Sequence, residues 1–165
     1  MSPGSGSARS ASARSRSCAN RPTDPRSRGS GLPDPSAARQ VALVIDDEPS
    51  IRMALRRCLA REGWQVEEAM DGRAALDRLI PATGPAPHFD LIICDLRMPG
   101  CSGSELHERL KAERPALLRR LIVATGDTVS EDAADFVRRT SCPVLQKPFE
   151  LSELRSLVHR VVEAA

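Results

Sequence analysis

Leu91-Ile92-Ile93-Cys94-Asp95-Leu96-Arg97-Met98-Pro99-Gly100 is the stretch on which the reading of this chain turns. An apolar run ends in a carboxylate, and a Pro-Gly pair follows. Such a run closed by turn residues predicts a buried strand that delivers Asp95 to its C-terminal edge. An ionised carboxylate in that place is costly unless something binds it. The residues that meet Asp95 are therefore the ones to look for.

Working outward, the same grammar repeats. Upstream, Val41-Ala42-Leu43-Val44-Ile45 is a continuous apolar strand that runs into Asp46-Asp47-Glu48 and Pro49. Pro suits the first turn of a helix, where its missing N–H has no helical partner. Ile51, Ala54, Leu55, Cys58 and Leu59 then recur at helical spacing, and Gly63 ends that helix. A shorter strand over 64–69, the Asp71-Gly72 turn and a helix over 73–80 follow. Residues 81–87, rich in Pro, form a loop.

Downstream, a helix is predicted over 103–113, with Leu106 and Leu110 on one face. Leu121-Ile122-Val123-Ala124-Thr125 is another apolar strand and leads into Gly126-Asp127. A helix over 130–139, a short strand over 143–146 and Lys147-Pro148-Phe149 follow. The last helix carries Leu151, Leu154, Leu157, Val158 and Val161. Met53 is expected in the core and Met98 in a loop.

This alternation predicts an α/β fold, a doubly wound parallel sheet of five strands with five helices on its two faces. Ligand sites in such sheets lie beyond the carboxyl ends of the strands. Asp46 and Asp47, Asp95, Thr125 and Lys147 all fall at that edge. Three carboxylates make a hard-oxygen site suited to magnesium, whereas zinc would call for His or Cys. With an ammonium and a hydroxyl beside them, the set describes a site for a phosphoryl group. An Asp there can act as a nucleophile and form an acyl phosphate.

At this point the chain resembles bacterial response-regulator receiver domains of two-component phosphorelays, over roughly residues 40–163. Asp46-Asp47-Glu48 is similar to the family's acidic pair, and Asp95 through Gly103 to its phosphoacceptor loop. Thr125-Gly126 is similar to its switch threonine with a small residue, and Lys147-Pro148-Phe149 to its lysine and proline. The resemblance implies a flavodoxin-like strand order 2-1-3-4-5, for which receivers are an established example. It implies phosphorylation of Asp95, with Asp47, Asp95 and the backbone carbonyl of Arg97 on magnesium and Asp46 helping through water. Lys147 would pair with the phosphoryl oxygens and Thr125 would swing to bond one of them. The new dianion would bias the surface formed by the fourth helix, fifth strand and fifth helix.

The chain departs from the family's pattern at Val144, and two further positions bear on its chemistry. Val144 stands three residues before Lys147, where the family often has Tyr or Phe as a rotameric switch; a valine cannot make that swing. The segment from Val144 to Phe149 resembles receivers of hybrid sensor kinases. The resemblance implies that Arg97 and Asp127 stand where the family tunes water attack on the acyl phosphate, and their opposite charges are expected to pair and slow hydrolysis.

The partners implied are a histidine kinase or a histidine phosphotransfer protein, with a homodimer through the fourth helix left open. The resemblance implies no enzyme activity beyond the domain's own phosphorylation and slow dephosphorylation. A pseudo-receiver, docking without phosphorylation, is the alternative, supported by Val144 alone. A phosphohydrolase with an aspartate nucleophile typically places an acidic residue two positions later; here that position is Arg97, which does not donate a proton at neutral pH.

Composition narrows the rest. Aromatic residues make up 2% of the chain and Tyr is absent, which leaves no stacking platform for single-stranded nucleic acid. The five Cys are scattered with no Cys-x-x-Cys pair, which points to reduced thiols in a cytoplasmic protein. No apolar run is long enough for a membrane span, and no signal-peptide core appears. No DNA-binding domain is expected after Ala165. Residues 1–40 hold seven Arg and two Asp among Ser, Pro, Gly and Ala. Residues 1–39 are expected to be a disordered extension, with 40–165 the receiver domain. A transit peptide or a tether to phosphate-rich surfaces is the functional reading of that extension, a solvated linker or a misassigned start the plain one.

His107 is expected to be an exposed helix residue, and His88 and His159 to be single and unpartnered. Arg119-Arg120 and Arg138-Arg139 read as solvated element ends.

Overall fold

In the computed structural model, residues 39–126 and 131–165 are described. The expectations for the N-terminal extension and for Asp127, including its pairing with Arg97, lie outside these residues.

The strands are β1 (Val41–Ile45), β2 (Gln65–Ala69), β3 (Leu91–Asp95), β4 (Leu121–Thr125) and β5 (Val144–Gln146). The helices are α1 (Pro49–Arg61), α2 (Gly72–Leu79), α3 (Gly103–Glu113), α4 (Glu131–Thr140) and α5 (Leu151–Ala164). The sheet has the order β2-β1-β3-β4-β5, and every pairing is parallel. This is the flavodoxin-like order expected from the sequence.

Parallel central strands are covered on both faces, so their residues are apolar without alternation. β3 and β4 are buried at all five positions. Side chains still alternate between faces. Leu43, Ile45, Ile92, Cys94, Leu121 and Val123 point to one core with Ala75, Leu79, Leu106, Leu110 and Phe136 of α2, α3 and α4. Ala42, Val44, Leu91, Ile93, Ile122 and Ala124 point to the other, with Leu55, Leu59, Leu154 and Val158 of α1 and α5. Trp64, just before β2, closes the second core.

The helix signals act locally as their chemistry requires. Asp71 accepts a hydrogen bond from the Ala74 N–H at 2.7 Å and so caps α2. Ser102 and Glu105 form a reciprocal capping box at the start of α3. Gly63 (φ +92°) lets the chain leave α1 in a left-handed conformation.

The structure corrects the sequence reading at three points. A sixth helical segment, a 3-10 helix over Pro115–Arg120, lies between α3 and β4. Pro115 starts it, and Leu117 is buried and anchors it to the first core. Met53, expected inside, is 47% exposed, because it sits on the outer side of α1 from Leu55 and Leu59. Arg120 is not a solvated end: its Nη1 donates to the Phe89 carbonyl at 2.8 Å. Among the described residues, no helix is long and apolar enough to cross a membrane.

Candidate functional site

The register of the sheet brings four strand ends to one edge. Ile45 pairs with Cys94, Asp95 with Ala124, and Thr125 with Gln146, so the next residues outward share one level. Asp46, Asp95, Thr125 and Lys147 meet there, as the sequence predicts. Ligand oxygens of Asp46, Asp47 and Asp95 lie within 4.8 Å of one another.

Their surroundings differ. Asp46 is 1% exposed and Asp95 7%, whereas Asp47 is exposed. Asp46 Oδ1 accepts from the Glu48 N–H at 2.9 Å, and Oδ2 accepts from Lys147 Nζ at 2.6 Å. Lys147 Nζ also lies 3.3 Å from Asp95 Oδ2. Thr125 is buried, and its carbonyl accepts the Lys147 N–H at 2.7 Å, which locks the two residues into adjacent places.

The charges are unequal. Burial raises the Asp95 pKa, Lys147 lowers it and Asp46 raises it again, and the carboxyl ends above its ordinary value. Burial works against the Lys147 ammonium, but the hydrogen bond to Asp46 and the charge of Asp95 outweigh it and raise its pKa. Two carboxylates thus share one lysine, and the third stands beside them. Hard oxygen donors with surplus negative charge are the donor set that a divalent, oxygen-preferring cation fits.

The loop after β3 is packed tightly against this edge. A Cβ on Gly103 would lie 2.4 Å from the Asp95 carbonyl oxygen, so only glycine lets α3 start that close. The Gly103 N–H donates to the Leu96 carbonyl at 3.0 Å and the Leu96 N–H to the Ala124 carbonyl at 2.9 Å. Arg97 is exposed, and its backbone N–H bonds the Asp95 carboxylate.

Two histidine expectations fail. His107 is 4% exposed and meets Phe136 edge-on, with ring centroids 5.2 Å apart. Its spacing from Gly103, Leu106 and Leu110 puts it on the buried face of α3, a periodicity that was legible in the sequence. Among the described residues its Nδ1 has no hydrogen-bond partner, and Glu108 Oε1 is 3.6 Å away. His88 is not unpartnered: its Nε2 lies 2.9 Å from both Asp90 Oδ1 and Arg120 Nη1.

Arg52 was missed altogether. Its Nη1 donates to the carbonyls of Asp46 at 2.7 Å and Asp47 at 3.1 Å. A side chain in the first turns of a helix points back toward the N-terminus, so its position was the available signal.

Comparisons with known proteins agree with this geometry. The profile of the response regulator receiver domain matches residues 42–159. Response regulator MprA of Mycolicibacterium vanbaalenii is 38% identical over 122 residues, which is 72% of this chain and 50% of that protein. A response regulator receiver protein from Pseudomonas putida is 34% identical, with a TM-score of 0.64 over 75% of this chain and 98% of that one. Response regulator TrrA of Thermotoga maritima, solved in complex with Mg(2+)-BeF, is 28% identical, with a TM-score of 0.62 over 74% of this chain and 98% of that one. The chain spans half or less of the length of the first curated relatives it matches. Sheet order, acidic edge and matched residues lead to one conclusion, that the chain belongs to the response regulator receiver domain family of two-component signalling, with an acidic pocket that fits a phosphoacceptor site.

Proposed function

We propose that Asp95 takes a phosphoryl group from the phosphohistidine of a histidine kinase or histidine phosphotransfer protein. A carboxylate oxygen of Asp95 forms the new P–O bond as the P–N bond to imidazole breaks, and the imidazole leaves with the electron pair. The reading rests on one observation: Asp46, Asp47 and Asp95 bring oxygens within 4.8 Å of one another beside a single lysine. Asp46, Asp47, Asp95 and the Arg97 backbone carbonyl would hold magnesium. When bound, it supplies neutralisation of the phosphoryl oxygens in an otherwise anionic pocket.

The protein groups do the rest. Lys147 favours the ionised, nucleophilic form of Asp95 against burial. After transfer, its ammonium pairs with a phosphoryl oxygen and the Thr125 hydroxyl donates to another. Return to the ground state is attack of water on phosphorus, with Asp95 leaving as carboxylate and inorganic phosphate released. The domain thus catalyses only its own phosphorylation and dephosphorylation, as a cytoplasmic switch. Val144 is half-buried in β5 and pairs with Val123, so the switch runs without an aromatic rotamer change.

Incubation with acetyl phosphate or a phosphoramidate and magnesium, followed by intact mass, tests this. One added phosphoryl group is expected, absent in Asp95→Asn and without added magnesium. No gain in the wild-type protein would leave a docking module instead.

A further inference from the structure

The acidic loop between β1 and α1 carries two of the three carboxylates, and they are held unequally. Asp46 is buried and its side chain is tied to Glu48 and Lys147. Asp47 is exposed, and its carboxylate makes no hydrogen bond or ion pair among the described residues. What fixes its place is the backbone. The Asp47 carbonyl accepts from Arg52 Nη1 at 3.1 Å, and the same nitrogen takes the Asp46 carbonyl at 2.7 Å. One guanidinium therefore ties both residues of the loop from behind.

Arg52 is itself braced. Its Nε faces Glu68 Oε2 at 3.5 Å across the sheet edge, and its side chain is only 15% exposed. Glu68 lies on β2 and pairs in register with Val44 of β1, one residue before the strand ends. Arg56 reaches the other oxygen of Glu68 at 3.4 Å. The chain of contacts runs from β2 through Glu68 and Arg52 to the two carbonyls. A planar guanidinium presents a rigid fork that serves a carboxylate from one nitrogen and carbonyls from another, whereas an ammonium offers a single nitrogen.

We propose that Arg52, braced by Glu68, is a positioning residue for the metal-binding carboxylates, setting the backbone from which Asp47 projects. The proposal rests on the reading of this pocket as a magnesium site. Groups that orient metal ligands from behind carry about tenfold or more in metal affinity when removed. The positive charge of Arg52 acts in the opposite sense, since a cation near the pocket repels another. The sign of the effect therefore separates positioning from plain electrostatics.

The test is calorimetric titration of magnesium into the full chain, with thermal unfolding in EDTA measured alongside. Arg52→Gln is expected to weaken magnesium binding about tenfold, and Arg52→Lys to restore part of it. Arg52→Lys keeps the charge and loses the fork, so weaker binding in it carries the test if Arg52→Gln does not fold; Glu68→Gln, which keeps the guanidinium and loosens its brace, is expected to weaken binding less. Unchanged or tighter magnesium binding in these variants, with only a lower unfolding temperature, would make Arg52 a bolt between α1 and β2 and overturn the proposal. Magnesium binding absent from the wild-type protein would overturn both the proposal and the metal reading beneath it.

Discussion

Asp90 and Asp46 sit at opposite ends of the sheet, and the sheet treats them differently. Asp90 precedes β3. Its Oδ2 accepts the Val41 N–H at 2.9 Å, and its Oδ1 lies 2.9 Å from His88 Nε2 and 3.7 Å from Arg120 Nη1. Burial would raise its pKa, but the Val41 N–H, His88 and Arg120 outweigh that and hold it below the usual carboxylate range. Asp46 follows β1 and shares its lysine with Asp95, while Asp47 stands beside them. A carboxylate surrounded by donors is structure. Carboxylates crowded around one cation retain the capacity to bind something more.

The largest expected effect breaks the chemistry at one end alone. Asp95→Asn abolishes the phosphoryl mass gain, whereas Asp90→Asn keeps it; loss in both would make the two ends functionally alike. Next, Lys147→Met leaves Asp46 buried without its cation. Urea unfolding in EDTA should show a loss of about 3 kcal/mol, part of it recovered on adding magnesium. An equal loss with and without magnesium would argue against a cation in the pocket.

At the other end, Asp90→Asn should cost about 2 kcal/mol by the same measurement, with no magnesium dependence. Its contribution is present above the ordinary carboxylate pKa and fades as pH falls through the lowered one, so the cost of Asp90→Asn shrinks in acid. The smallest effect concerns His107, in neither cluster. Burial lowers its pKa. Its neutral form is compatible with the fold above the unfolded value of about 6.5, and stability is lost as pH falls below that. His107→Leu should gain on the wild type between pH 7 and pH 5 in paired thermal melts; parallel curves would show that His107 does not titrate there.

The site was legible wherever a residue type and a strand end coincide. Asp95, Asp46, Asp47, Thr125 and Lys147 each follow or end an apolar run, and the edge they share follows from parallel pairing. His107 shows a failure of weighting: its spacing put it on the buried face, but its polarity argued for solvent, and packing against Phe136 decided. Arg120 shows a failure of reach. Its partners, His88, Phe89 and Asp90, are found only after β3 and the 3-10 helix are laid side by side. The 3-10 helix itself is too short for its period to stand out over six residues.

By itself the sequence determined the alternation of strands and helices, the sheet that alternation dictates, and the kinds of chemical group gathered at its carboxyl edge. Those follow from local periodicity and from chain direction, which sequence carries in full. Only the tertiary structure decided which carboxylate is saturated and which is crowded, and that Glu68 of β2 meets Arg52 behind the acidic loop. Hydrogen bonds between residues distant in sequence depend on register and depth, and these are fixed only when the core closes.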